Sequence, residues 1–154
     1  DDVANHFPDR QAAEGMLPRL GLEEDALNWP VSRLSTGEKQ RLALIRTLLL
    51  APEVILLDEP TSSLDLSFQL ASSALLTQLN KTKLTSIVVC THDLNFAAGL
   101  CSDLVLLRDG VVVAAGSTDD VLTPESISIV YGVIADVHRH TTTRHLTVVP
   151  LARH

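Results

Sequence analysis

Apolar and polar positions follow two rhythms along this chain, and the switches between them mark out helices and strands. Residues 9–20 put Ala12, Ala13, Met16, Leu17 and Leu20 at helical spacing and stop at Gly21, with Pro18 placed to split the helix. Residues 21–30 read as a connector in which Trp29 packs the loop. Ser35 followed three residues on by Glu38 has the form of a capping box. The helix behind it is predicted to run to about Leu50, apolar on almost every face from Leu42 onward and therefore deeply buried. Ala51-Pro52 ends it, and Val54-Ile55-Leu56-Leu57 follows, a short apolar run of the kind buried on both faces in a parallel sheet. Asp65, or a serine before it, caps a helix predicted to reach about Leu79, and residues 80–84 form a loop. Ser86-Ile87-Val88-Val89-Cys90 reads as a second buried strand, with Cys90 a small buried hydrophobe. Asp93 caps a short helix through Cys101, and residues 104–108 and 111–115 pair as a hairpin about Asp109-Gly110. A capping pattern at residues 117–120 opens a short helix through Leu122. The tail reads as a helix ending at Tyr131-Gly132, a strand 133–138, a polar turn 141–143 and a strand 145–149 closing on Pro150. Strands alternating with helices make this an α/β chain.

The chemistry gathers where the first apolar strand ends, in Asp58-Glu59-Pro60. Ligands of parallel sheets bind beyond the carboxyl ends of the strands, so two acids there face a site and not a core. Such a pair suits a metal-bound phosphate, Asp58 holding Mg²⁺ and Glu59 orienting or deprotonating an attacking water. The plainer alternative is a strand that ends in a solvated acidic turn. The second strand delivers Thr91-His92-Asp93 to the same edge, which would let His92 touch a phosphate and its attacking water; otherwise His92 is a polar loop residue. At Ser35, Thr36 and Gly37 the exposed amides and positive dipole end of a helix form an anion site, in addition to the cap that Ser35 supplies.

Composition narrows the classes. The chain has 154 residues, 45% hydrophobic and 20% charged, the profile of one globular domain. Its formal charge of −7 and its scattered basic residues argue against a nucleic-acid surface. No apolar run is long enough to cross a bilayer, and the first residues lack the basic leader and apolar core of a secretory signal. The two cysteines, Cys90 and Cys101, are too few for a disulfide framework and fit a reducing compartment. His138, His140 and His145 read as a solvated edge rather than a metal site, since no acid or cysteine accompanies them.

In order and spacing, Leu34-Ser35-Thr36-Gly37-Glu38-Lys39-Gln40-Arg41, the strand with Asp58-Glu59, Ser63-Leu64-Asp65 and Thr91-His92-Asp93 resemble the ATP-binding cassette (ABC) ATPase family. They match its signature sequence, Walker B with the adjacent glutamate, the D-loop and the switch histidine. Two residues depart from the pattern: Thr36 stands where glycine is usual, restricting how closely the backbone meets a phosphate, and Glu38 stands where glutamine is common. The resemblance implies a partial ABC-type P-loop NTPase fold with a mostly parallel central sheet, flanking helices, a helical subdomain remnant and a C-terminal β-hairpin. It divides the chain into that remnant with the signature helix (residues 1–50), a catalytic core (51–118) and a tail (119–154). The lysines are Lys39, Lys81 and Lys83, none of which follows a glycine, so the phosphate-binding Gly-Lys-Ser/Thr loop is missing. The expectation is a fragment, the later part of one cassette, with negligible ATPase activity by itself.

The resemblance further implies ATP and Mg²⁺ as cofactors. Asp58 would serve the metal, Glu59 the water and His92 the terminal phosphate. Residues 35–38 would contact the ATP held by a second ABC ATPase subunit, and Asp65 would couple the two sites of that homodimer. The tail is similar to ATP-binding subunits that energise import of iron-siderophore, haem or cobalamin complexes. That implies a transmembrane permease, a periplasmic binding protein acting through it, and a place at the cytoplasmic face of the inner membrane. In the family the region around Trp29 touches the permease, an alternative to loop packing. Two other readings stay open, a cassette serving an exporter or a non-transport task, and a non-enzymatic dimerisation module.

Overall fold

A computed structural model of the protein describes residues 2–62, 65–83 and 85–153. Ser63 and Leu64 of the expected D-loop, Leu84 of the expected loop, and the terminal Asp1 and His154 lie outside the described residues. The chain forms two compact units, Asp1–Cys90 and Thr91–His154.

In the first unit the expected helix over residues 9–20 is two pieces. α1, Arg10–Glu14, starts where the Asp9 carboxylate accepts a hydrogen bond from the Ala12 amide at 3.0 Å. A turn then leads into the 3-10 helix Pro18–Leu20. Proline lacks an N–H and tolerates only a first-turn position, so Pro18 begins the second piece instead of extending the first. Gly21 closes it in the left-handed region at φ 60°. Trp29 packs the connector: it is buried, its indole N–H donates to Asp25 Oδ2 at 3.0 Å, and the Arg33 guanidinium lies 3.8 Å from its ring centroid.

α2, Thr36–Leu49, is buried on one face only, through Arg41, Leu42, Ile45 and Leu48. Ala43, Arg46 and Leu50 face solvent, so the expectation of a deeply buried helix is corrected. Partners for this helix come from one side, where Ala13, Leu17, Leu20 and Leu27 share its core. Each such buried leucine contributes about 1.5–3 kcal/mol relative to exposure.

β1, Val54–Asp58, and β2, Ser86–Cys90, run parallel, in register from Val54 opposite Ser86 to Asp58 opposite Cys90. Neither is buried on both faces. Ile55 is buried and Leu57 half-buried in the core cluster that also holds Leu75 and Leu79, whereas Leu56 remains 76% exposed and Val54 and Val88 also face outward. The reason is that the pair forms a two-stranded sheet covered on one side. Cys90 falls on the uncovered side and is exposed, against the expectation of a buried thiol. α3, Leu66–Lys83, outruns its expected end at Leu79 because Asn80-Lys81-Thr82-Lys83 contains neither glycine nor proline to stop it. Asn80 Nδ2 donates to the Thr85 carbonyl at 2.9 Å beyond the helix.

The second unit opens with α4, Leu94–Leu100, capped by Asp93, which accepts from the Phe96 amide at 2.9 Å. β3, Asp103–Arg108, and β4, Val111–Ser117, form the expected hairpin. Asp109 at φ 51° and Gly110 at φ 77° give the paired left-handed residues that a tight two-residue turn requires. α5, Thr118–Val121, follows a Ser117 cap, and α6, Pro124–Tyr131, follows a capping box of Thr123 with Ser126. β5, Val133–Arg139, pairs antiparallel with β6, Leu146–Arg153, which continues past Pro150 instead of ending there. A register shift between Ile134 and Ala135 absorbs the irregularity beside the proline. Ala98, Leu122, Ile127, Ala135 and Val148 make the core of this unit. Asn95 ties α4 to β6 twice, accepting from the Val148 amide at 2.8 Å and donating to the Val148 carbonyl at 3.2 Å.

Candidate functional site

The mouth of α2 is built as the sequence predicts. Ser35 Oγ accepts from the Glu38 amide at 3.2 Å, while Glu38 Oε2 accepts from the Ser35 amide at 2.8 Å and from Ser35 Oγ at 2.7 Å. The Ser35 side-chain bond, followed by the backbone bond, holds the Glu38 carboxyl below the usual carboxylate range. First-turn amides have no intrahelical acceptor, so those of Thr36 and Gly37 point out of the helix end. Ser35 and Thr36 are exposed and Gly37 is half-buried, leaving the mouth open to an approaching anion.

Asp58 and Glu59 stand together at the carboxyl end of β1. Asp58 is exposed and opposite Cys90. The nearby Asp58 charge, ahead of burial and of its hydrogen bond, pushes the Cys90 thiol up in pKa. Glu59 turns the chain out of the strand at φ 46°, a left-handed conformation costing a residue with a Cβ about 1–2 kcal/mol. Its amide donates to the Cys90 carbonyl at 2.8 Å, and its own carbonyl accepts from Ser62 Oγ at 3.1 Å, which fixes the turn. Both strands thus end at one edge, the first in two adjacent carboxylates.

Asp65 is the helix cap of α3. Its Oδ1 accepts from the Ser67 amide at 3.0 Å, the Phe68 amide at 3.1 Å and Ser67 Oγ at 2.8 Å. These bonds, the Ser67 hydroxyl first, lower its pKa. His92 belongs to the second unit, exposed in the bend before α4, where Thr91 Oγ1 accepts from the Asp93 amide at 3.1 Å. The structure therefore gathers residues 35–38 at one helix mouth and Asp58 with Glu59 at one strand edge.

An exposed single carboxylate fits Mg²⁺, which keeps most of its waters and takes one or two protein oxygens alongside a nucleotide's phosphates. Among the described residues no group of three or more His, Cys, Asp or Glu is arranged to hold a metal by itself. The tail histidines have structural partners: His138 Nδ1 lies 2.9 Å from Asp136 Oδ2, and His140 Nδ1 accepts from the Thr142 and Thr143 amides at 3.3 Å each. An acid does accompany His138, correcting the expectation that none is near. The sequence places Arg41 in the signature stretch but assigns neither Arg41 nor Phe68 a role. The sequence does show an arginine three residues past Glu38 and an aromatic three past a capping Asp, but not that the two meet.

Comparison with known proteins agrees with this layout. The ABC transporter family matches residues 3–62. The vitamin B12 import ATP-binding protein BtuD of Pectobacterium atrosepticum is 43% identical over 143 residues, covering 88% of this chain and 56% of that protein. A metal-chelate type ABC transporter solved in an inward-facing conformation superposes with a TM-score of 0.79 at 25% identity, over 98% of this chain and 66% of that one. The dimeric cassette MJ0796, in a post-hydrolysis state with ADP and Pi, gives a TM-score of 0.65 at 35% identity, over 71% of this chain and 47% of that one. The chain spans about half the length of the curated relatives it matches. With the signature helix mouth, the acid-ended strand and the α/β fold all in agreement, residues 3–62 match the ABC transporter family and the chain as a whole is similar to that family's ATP-binding proteins.

Proposed function

We propose that this chain is part of an ATP-hydrolysing cassette that works as a dimer and energises import of a metal chelate, an iron-siderophore, haem or cobalamin complex. The observation that carries the reading is the end of β1, where Asp58 and a left-handed Glu59 leave a parallel strand side by side beyond its carboxyl end. Asp58 is assigned to Mg²⁺, which when bound would neutralise phosphate charge, and Glu59 to the attacking water. His92 is assigned to the terminal phosphate. The open mouth at Ser35, Thr36, Gly37 and Glu38 serves nucleotide carried by a second subunit, and Asp65 couples the paired sites. The relative named for vitamin B12 import and the metal-chelate transporter neighbour support the cargo class. The dimeric cassette supports the second subunit. A permease, with a periplasmic binding protein delivering cargo to it, would hold the cassette at the cytoplasmic face of the inner membrane. No helix among the described residues is long and apolar enough to cross a membrane.

The test is Glu59→Gln in a cassette-length protein, this chain preceded by the leading half of the Pectobacterium relative. ATP hydrolysis should fall by about a hundredfold or more, while ATP-bound dimers accumulate on size exclusion. Unchanged turnover with monomers only would remove Glu59 from its assigned role.

A further inference from the structure

We propose that Arg41 is a positioning residue that locks the open mouth of α2 to the turn that starts α3, so that the two respond as one. Arg41 is 8% exposed, and its guanidinium carbon lies 3.7 Å from the centroid of the Phe68 ring. Phe68 is also the residue whose amide donates to Asp65. At the other end, Arg41 follows Glu38 by three positions, one turn along the same helix face, and Glu38 holds Ser35 by both its amide and its hydroxyl. Ser35 is therefore bonded to Glu38, the Glu38 charge acts on Arg41 across one helical turn, and Arg41 stacks on the Phe68 ring, whose amide is bonded to Asp65.

The ring in the middle has little room. A Cβ at Gly21 would stand 2.1 Å from Phe68 Cε1, so the backbone of Gly21 bears on the ring edge while Arg41 covers its face. Arg41 is also an expensive residue to place there. Its Nε is buried without a hydrogen-bond partner among the described residues, a loss that ordinary core packing would avoid. Burial lowers its pKa, and the Glu38 and Asp65 charges act against that, Glu38 more strongly. A guanidinium stays protonated under these conditions, so it stands as a fixed charge between a carboxylate at the mouth and a carboxylate at the turn. An arginine serving only as filler would need neither the ring beneath it nor acids from two different helices.

The value of this link to catalysis rests on the nucleotide reading above, but its test needs no nucleotide, so the two can fail separately. Amide NMR spectra of the 154-residue chain are recorded for the unchanged sequence and for Glu38→Gln, Arg41→Met, Arg41→Lys and the Glu38→Gln/Arg41→Met pair. Glu38→Gln should move the Ser67 and Phe68 amide resonances in the unchanged chain and leave them in place in the Arg41→Met background. Arg41→Met keeps apolar packing on the ring but not the charge, so the Phe68 amide should exchange about two- to fivefold faster, with Arg41→Lys restoring most of its protection. Resonances indifferent to Glu38→Gln in the unchanged chain, or equally responsive without Arg41, would overturn the link. Should Arg41→Met fail to fold, the Glu38→Gln arm in the unchanged chain decides alone.

Discussion

Gly21→Ala is the sharpest probe of how the first unit is packed. Two costs meet at this position. The backbone sits at φ 60°, where a Cβ costs about 1–2 kcal/mol, and that Cβ would stand 2.1 Å from Phe68 Cε1, 2.8 Å from Cζ and 3.2 Å from Cδ1. No carbon contact survives at such distances, so the ring must leave its place against Arg41, an overpacking cost of about 1–3 kcal/mol. The sum is a loss of about 2–5 kcal/mol. Trp29 is the sole tryptophan and lies in the same unit, so its fluorescence during urea denaturation reports on this region. The midpoint should fall with the slope unchanged. In a Phe68→Leu background the clash is relieved and Gly21→Ala should cost only the backbone part, about 1–2 kcal/mol. A loss under about 0.5 kcal/mol in the unchanged chain, or an equal loss in both backgrounds, would refute the reasoning.

The cap at the mouth of α2 should depend on pH. Because Ser35 holds the Glu38 carboxyl below its unfolded value, the cap's contribution is complete above the unfolded pKa, about 4.3, and drains away as pH falls through the lower folded value. Ser35→Ala should accordingly cost about 1 kcal/mol at pH 7 and less at pH 3 in urea melts, and an equal cost at both would contradict the assignment. Cys90 is exposed yet should alkylate slowly near pH 8, since Asp58 first, and burial after it, raises its pKa. Asp58→Asn should speed modification by iodoacetamide, followed by mass spectrometry, and no change would show that the carboxylate does not govern the thiol.

Local punctuation was readable from residues alone. The Ser35 and Glu38 box, the Asp109-Gly110 turn, the Asp93 cap and the Gly132 stop all form as expected, because each depends on atoms within a few positions. Pro18 split its helix for the same local reason. Burial was less legible. An apolar tetrad such as Val54-Ile55-Leu56-Leu57 announces that both faces can be covered, but not that both are, and here Leu56 and Val54 face outward. The same gap explains Cys90 and the outer side of α2. Of the candidate residues, those in the signature and Walker B stretches were found through fixed spacing. The pairing of Arg41 with Phe68 was not, because it joins two helices separated in sequence, and no local pattern encodes a stacking distance.

The uncovered side of the β1 and β2 ribbon has a practical consequence for anyone handling this polypeptide. Val54, Leu56 and Val88 form an aliphatic rib beside strand edges whose amides seek partners. In concentrated solution the readiest partner is another copy, so stickiness at this rib, ahead of any failure of the cores, sets how much material stays dispersed. A lysine in place of Leu56 would act as a gatekeeper there while leaving Ile55 and Leu57 to their own side of the ribbon.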